Sequence, residues 1–239
     1  MNNFQQEPQP RTINTQVGLR SFLTKMYGFM TLAVLVSAVS VYLSINVFAA
    51  QINALFGQHP FITLIIFMIS MFAMIGGIQK NATRNPGMSF TLLMLFAVIF
   101  GVEMSVMLAL YTGAVLTGAF ISAAAVFATM AVIGTTSKRD MSRLGTHLFA
   151  ALIGLLVASV VNMFLQSAMI SYVFSYIGVL IFAGLSMWDA NKMRDMYLQY
   201  GDQVSSTGLA VSGALSLYLD FVNLFLYFVQ IFAGGSNRN

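Results

Sequence analysis

The sequence predicts an all-α membrane protein built as a bundle of seven transmembrane helices. Composition is the first reason: 58% of the 239 residues are hydrophobic, 8% are charged and the mean hydropathy is +0.82, far from the mix of a soluble domain. The second is that the apolar residues fall into seven runs, each near the roughly 20 residues that a helix needs to cross the hydrocarbon. The third is the placement of the basic residues, which return to the same side after every second run.

Residues 1–16 are polar, include two prolines and read as a disordered cytoplasmic tail. An amphipathic lead-in, residues 17–25, brings Arg20 and Lys25 up to the first span, residues 26–50. That span is too long for a signal-peptide core and lacks a convincing cleavage site, so it stays in the membrane. Further spans are expected at about 61–78, 88–111, 114–134 and 145–166. The sixth covers 172–191 and continues as a helix beyond the bilayer, and the seventh covers 207–232, which leaves 233–239 as a short C-terminal tail. Residues 17–232 thus form one membrane domain.

Loop charges predict the orientation. Arg11, Arg20 and Lys25 precede the first span, Lys80 and Arg84 join the second to the third, Lys138, Arg139 and Arg143 join the fourth to the fifth, and Lys192 and Arg194 follow the sixth. Ten of the eleven basic residues therefore share one side, with Arg238 on the other. The positive-inside rule places the N-terminus in the cytoplasm of a multi-pass protein of the cell membrane, the inner membrane where a cell has two. A broken or re-entrant last helix is the alternative, because Gly208, Ser212 and Gly213 lie near a central aspartate.

Several function classes are excluded at this stage. Cysteine is absent, which removes disulfides, thiolate metal sites and cysteine nucleophiles. The net charge of +4 is scattered through short loops and does not form a nucleic-acid patch. Small residues, Gly118, Ser122, Ala125 and Thr129 in the fourth span and Gly154, Ala158 and Asn162 in the fifth, fit close helix packing. Asn162 is expected to bridge two helices.

Chemistry concentrates in the last span. Asp220 sits near its middle, where a charge is costly and usually faces a partner, a cavity or an ion path. Gly213, Ser216, Asp220, Asn223 and Tyr227 follow at steps of three or four and share a face, while Leu217, Phe221, Leu224, Phe225 and Phe228 fill the other side. Two more carboxylates lie in or near the spans, Glu103 and Asp189. Asp189 stands eleven residues before the end of the extended sixth helix and Asp220 thirteen after the start of the seventh. At about 1.5 Å per residue these depths are roughly 16 and 20 Å, close enough for antiparallel helices to bring the two carboxyls together. Such a pair cannot ionise fully at low cost, so it shares a proton; fully charged, its oxygens suit a hard divalent cation such as Ca²⁺. Asp189 has an ordinary alternative, pairing with Lys192 or Arg194 on its own helix. Glu103 either adds a third carboxylate or forms a buried protonated hydrogen bond.

The stretches ALSLYLDFVNLFLYFVQIF at 214–232, TSKRDMSRLG at 136–145 and YIGVLIFAGLSMWDANKM at 176–193, with the seven-span layout, resemble the transmembrane Bax inhibitor motif family, also called the Bax inhibitor-1 family, and its bacterial members most. The resemblance implies a central last helix ringed by the other six and a pH-sensitive Ca²⁺ leak. It also implies that Asp189 and Asp220 form the ion-binding and pH-sensing dyad, with no cofactor and with Ca²⁺ as the permeating ion. In some relatives a basic residue at the inner end of helix two latches onto the helix-six aspartate, a place that Lys80 or Arg84 fills here. Some relatives carry a glutamate in helix two, and this span has none. Glu103 stands where apolar or hydroxyl residues are usual, so with Ser216 and Asn223 it marks a polar path of its own.

Two other functions compete. The chain could be a regulatory interaction protein without transport, a modulator of a membrane-bound protease or of stress responses, working through its tail and basic loops. An intramembrane enzyme is disfavoured: Ser186 in Gly184-Leu185-Ser186 lacks a base, since His59 and His147 lie at span ends. The paired aspartates also lack the Tyr-Asp and Gly-x-Gly-Asp contexts of aspartyl proteases.

Overall fold

The computed structural model describes residues 15–58, 60–201 and 203–236. Residues 1–14 with Glu7 and Arg11, His59, Asp202, and residues 237–239 with Arg238 lie outside the described residues, as does most of the expected tail. Among the described residues eight helices form: α1 (Thr15–Asn46), α2 (Ala49–Gln58), α3 (Pro60–Ala82), α4 (Pro86–Leu108), α5 (Gly113–Thr136), α6 (Ser142–Leu165), α7 (Ala168–Tyr200) and α8 (Ser206–Ser236). Seven are long and apolar enough to cross a membrane. The eighth is α2, ten residues with none buried, which connects α1 to α3 at the end of the bundle away from the basic loops.

The helix boundaries follow from local chemistry. Asn85 accepts a hydrogen bond from Met88 N at 3.1 Å ahead of Pro86 at the first helical position, so α4 starts there. Thr112 and Ser167 cap α5 and α7 in the same way. Chain ends depart from expectation. The lead-in at 17–25 is continuous with the first span, so α1 is a single helix of 32 residues, and α8 runs four residues past the expected end. The backbone of α8 is unbroken, which removes the re-entrant alternative.

Helix α8 is central. Of its most apolar stretch 67% is buried, against 11–33% for the other six spans. It packs on α7 most extensively, then on α1 and α5, and less on α4 and α3; α6 lies outside and rests on α7. Close approach explains two glycines: a Cβ on Gly208 would strike the Ala82 carbonyl of α3, and one on Gly134 the Met187 carbonyl of α7. Small residues do line α5 where it meets the bundle, but as Ala119, Ala123 and Ala131 with Phe127, one residue out of step with the expected stripe. Ala125 and Thr129 face outward. Both faces carry small side chains, and the match to α7 decides between them.

Polar clasps fix the helices to one another. Tyr218 on α8 meets Ser37 Oγ of α1 at 2.6 Å, and Ser37 donates to the Ala97 carbonyl of α4 at 2.9 Å. Ser89 donates to the Ile78 carbonyl at 2.8 Å and joins α4 to α3. Asn191 Nδ2 donates to the Gly134 carbonyl at 3.0 Å, and Arg194 Nη1 donates to the carbonyls of Thr135 and Ser137, so α7 caps the C-terminus of α5.

Candidate functional site: a buried carboxyl pair between the last two helices

Helices α7 and α8 are antiparallel neighbours joined by a short loop, so equal depths along them come together. Asp189 lies eleven residues from the end of α7 and Asp220 fourteen from the start of α8. Their carboxyl groups sit within hydrogen-bonding reach of each other. Asp220 is 5% exposed, and its Oδ2 has no protein donor among the described residues. One proton held between the two carboxyls would satisfy that oxygen.

The walls around the pair are apolar. Leu217, Phe221 and Leu224 flank Asp220 on its own helix, and Ala190 and Met193 flank Asp189 on α7. Phe221 is held edge-on by Phe120 and Phe127 of α5, with ring centroids 5.6 and 5.7 Å away. The aromatic side of α8 is therefore packed inside the bundle and does not face lipid. Asp189 is half-buried, and the charge that acts on it besides Asp220 is Lys192, one turn along its own helix. Lys192 Nζ rests 4.7 Å over the Trp188 ring, a cation–π contact beside the carboxylate.

The remaining expected site residues divide. Ser216 and Asn223 are half-buried on α8 on either side of Asp220, and Asn223 Nδ2 returns to the Leu219 carbonyl at 2.8 Å. Glu103 is half-buried on α4, and among the described residues no three acidic or histidine side chains converge, so Glu103 stays apart from the pair. Neither Lys80 nor Arg84 is ion-paired with Asp189; the ion pair among the described residues joins Arg194 to Asp195. Lys192 keeps the place expected from the sequence, an ordinary basic neighbour of Asp189 on the same helix. Ser186 donates to the Phe182 carbonyl within its own helix, and His147 is engaged with the Arg143 carbonyl on α6.

Among the recesses that open on the bundle are three that neither Asp189 nor Asp220 lines. Two are apolar, about 330 and 370 Å³, and meet along Val34, Phe120 and Phe221 between α1 and α5. The third, about 470 Å³, is polar and lies at the far end between α6, α7 and α8. Between it and the carboxyl pair stands Tyr227, whose ring lies 2.5 Å from where a Cβ on Gly178 would be and 5.8 Å from the Phe182 ring centroid. Asp220 is therefore closed off from that recess, while Asp189 beside it stays half-buried. Sequence spacing could not reveal Tyr227 as a plug, because its partner is a missing side chain, Gly178.

Comparison with known proteins agrees with the resemblance carried by the α7 and α8 motifs. The family model described as inhibitor of apoptosis-promoting Bax1 matches residues 19–238. An uncharacterised membrane protein of Streptococcus pyogenes serotype M3 is 38% identical over 221 residues, covering 91% of this chain and 94% of that protein. The inner membrane protein YbhL of Escherichia coli K12 is 35% identical over 224 residues, covering 92% and 94%. An uncharacterised protein of Rickettsia prowazekii is 34% identical over 216 residues, covering 89% of each.

Proposed function

The chain belongs to the Bax inhibitor family of membrane proteins, and from that premise we propose that it is a pH-sensitive cation leak. Ca²⁺ is the permeating ion, the Asp189–Asp220 pair is the control element, and the N-terminus lies in the cytoplasm. The observation that carries this reading is the contact between two carboxyls from successive spans, one of them 5% exposed. Structural packing does not need such a pair, since two apolar side chains of similar size would fill the space without desolvating acid groups.

The bundle described above is the closed state. With one proton between them, Asp189 and Asp220 hold α7 against α8. Loss of that proton leaves two negative charges in contact in a medium of low dielectric, and the repulsion is relieved by separation of the helices or by a cation in the proton's place. Lys192 offsets part of the charge on Asp189. Proton and Ca²⁺ therefore compete for one site, and the equilibrium between closed and open bundles shifts by their difference in affinity for the two states. The chain works by permeation and not as an enzyme.

Uptake of Ca²⁺ by liposomes containing the purified protein, measured across a pH series, tests the reading. Flux should vary with pH in the unmodified chain, and Asp220→Asn and Asp189→Asn should abolish the variation. Identical pH profiles in all three proteins would sink the dyad mechanism and leave a binding role toward another membrane protein, such as a membrane protease.

A further inference from the structure

The polar recess at the far end is lined by Ser159, Asn162 and Gln166 of the α6 end, Ser171 of α7, and Tyr227 and Gln230 of α8. Each of these side chains carries an oxygen, and none is a carboxylate or a cation. Asn162 is 7% exposed, and its Nδ2 donates to the Ser167 carbonyl at 3.2 Å and to Ser171 Oγ at 2.7 Å. A backbone carbonyl only accepts, so the first contact fixes which end of the amide is nitrogen. The atom left over is Oδ1, which is buried and has no hydrogen-bond partner. A buried acceptor without a partner carries a desolvation penalty that a donor or a cation would remove.

Helix α8 ties this recess to the carboxyl pair. Asp220, Asn223, Tyr227 and Gln230 follow at steps of three, four and three, a single helical face. Gln230 stands roughly 15 Å along the axis from Asp220, and its side-chain amide meets the buried Ser175 hydroxyl, which also contacts the Ser171 carbonyl, each at 2.9 Å. The recess and the pair are therefore two stations on one stripe, separated by Tyr227.

We infer that the recess is a second cation site, a waiting position at the far mouth that holds a partly hydrated Ca²⁺ through the oxygens of Asn162, Gln230 and the neighbouring serines. This inference rests on the leak reading for its role and on the recess for its chemistry. Neutral oxygens without a carboxylate hold a hard cation weakly, in the millimolar range typical of weak Ca²⁺ modules. Weak binding suits a path, because an ion that binds tightly at the mouth does not move on.

Binding and flux are measured separately. In detergent, the Asp189→Asn/Asp220→Asn protein should still bind Ca²⁺ by isothermal titration with a dissociation constant on the order of millimolar. Adding Asn162→Leu should abolish that binding. Gln230→Glu keeps the side-chain shape and adds a charge to the recess, so it should tighten Ca²⁺ about tenfold or more, a gain that a purely structural role would not produce. In liposomes Asn162→Leu should raise the half-saturating Ca²⁺ concentration several-fold. Lack of Ca²⁺ binding in the doubly substituted protein overturns the site, with water alone satisfying Asn162; so does binding indifferent to both Asn162→Leu and Gln230→Glu. If those binding changes occur but no protein conducts Ca²⁺, the leak reading fails and the cation site stands.

Discussion

The clasp of Tyr218, Ser37 and Ala97 yields an asymmetry that unfolding measurements can detect. Ser37 has one hydroxyl proton, and the Ala97 carbonyl 2.9 Å away can only accept, so that proton goes to Ala97. Tyr218 must then be the donor in its 2.6 Å contact with Ser37 Oγ. Tyr218→Phe removes that donor and leaves Ser37 still bonded to Ala97; within a membrane bundle this costs about 0.6 kcal/mol, at most roughly 1.7. Ser37→Ala instead strands the Tyr218 hydroxyl, which is fully buried at 0% exposure, and a buried unsatisfied donor costs about 1–3 kcal/mol. Once Tyr218→Phe is present, Ser37→Ala should cost only its bond to Ala97, about 0.6 kcal/mol, because no donor remains to be stranded. Reversible unfolding in mixed micelles, followed by circular dichroism on the two single variants and the double variant, gives the cycle. Equal costs for the two single changes, or additive costs in the double variant, would refute the assignment of donor and acceptor.

Three further outcomes are expected. Tyr227→Ala removes the ring that rests on Gly178 and Phe182, so Ca²⁺ uptake by liposomes should rise several-fold; uptake at or below that of the unmodified chain would remove Tyr227 as the plug. Asn191→Ala strips the side-chain donor from the Gly134 carbonyl and leaves Ser137 with Arg194 alone, and should lower stability by about 1–3 kcal/mol, whereas Asn162→Ala, on α6 beside the opposite end of α7, should leave protease sensitivity of the 137–141 loop unchanged while Asn191→Ala increases it. Asp140 in that loop accepts from the Ser142 hydroxyl and backbone N–H at 2.6 and 2.9 Å, and these bonds hold its carboxyl below the usual carboxylate range. Its stabilising effect is therefore present above that range and lost as pH falls through the lowered value, so the gap in thermal midpoint between the unmodified chain and Asp140→Ala should close as pH falls below the usual carboxylate range. A gap that does not depend on pH would count against this cap.

Much of the design is visible in the chain. Seven apolar runs and the return of lysine and arginine to alternate loops predict seven spans, because hydrocarbon thickness sets helix length whatever the neighbours. The meeting of Asp189 and Asp220 follows from two residue counts across one hairpin, a purely local measurement. Asn162 as a bridge between helices is legible for the same reason: its partners Ser167 and Ser171 are a few residues away. The short helix α2 is less visible, since its apolar residues resemble a continuation of the first span.

Where two faces of a helix have similar chemistry, the sequence leaves the choice open. On α5 both Gly118–Ser122–Ala125 and Ala119–Ala123–Phe127 suit close packing, and only the shape of α7 selects the second. Whether Lys80, Arg84 or Lys192 lies nearest Asp189 depends on the rotation and tilt of α3, quantities that no spacing within the chain encodes. The plug at Tyr227 and the clasp from Tyr218 through Ser37 to Ala97 join residues many turns and several helices apart. The sequence alone determined the number of spans and the distance along its helix at which each acid lies, because these depend on bilayer thickness and helical rise. The tertiary structure decided which side chains seal the acids and which atoms stay unpaired, because side-chain contact depends on how helices pack sideways, where a glycine in one wall is felt only by the ring it admits from another.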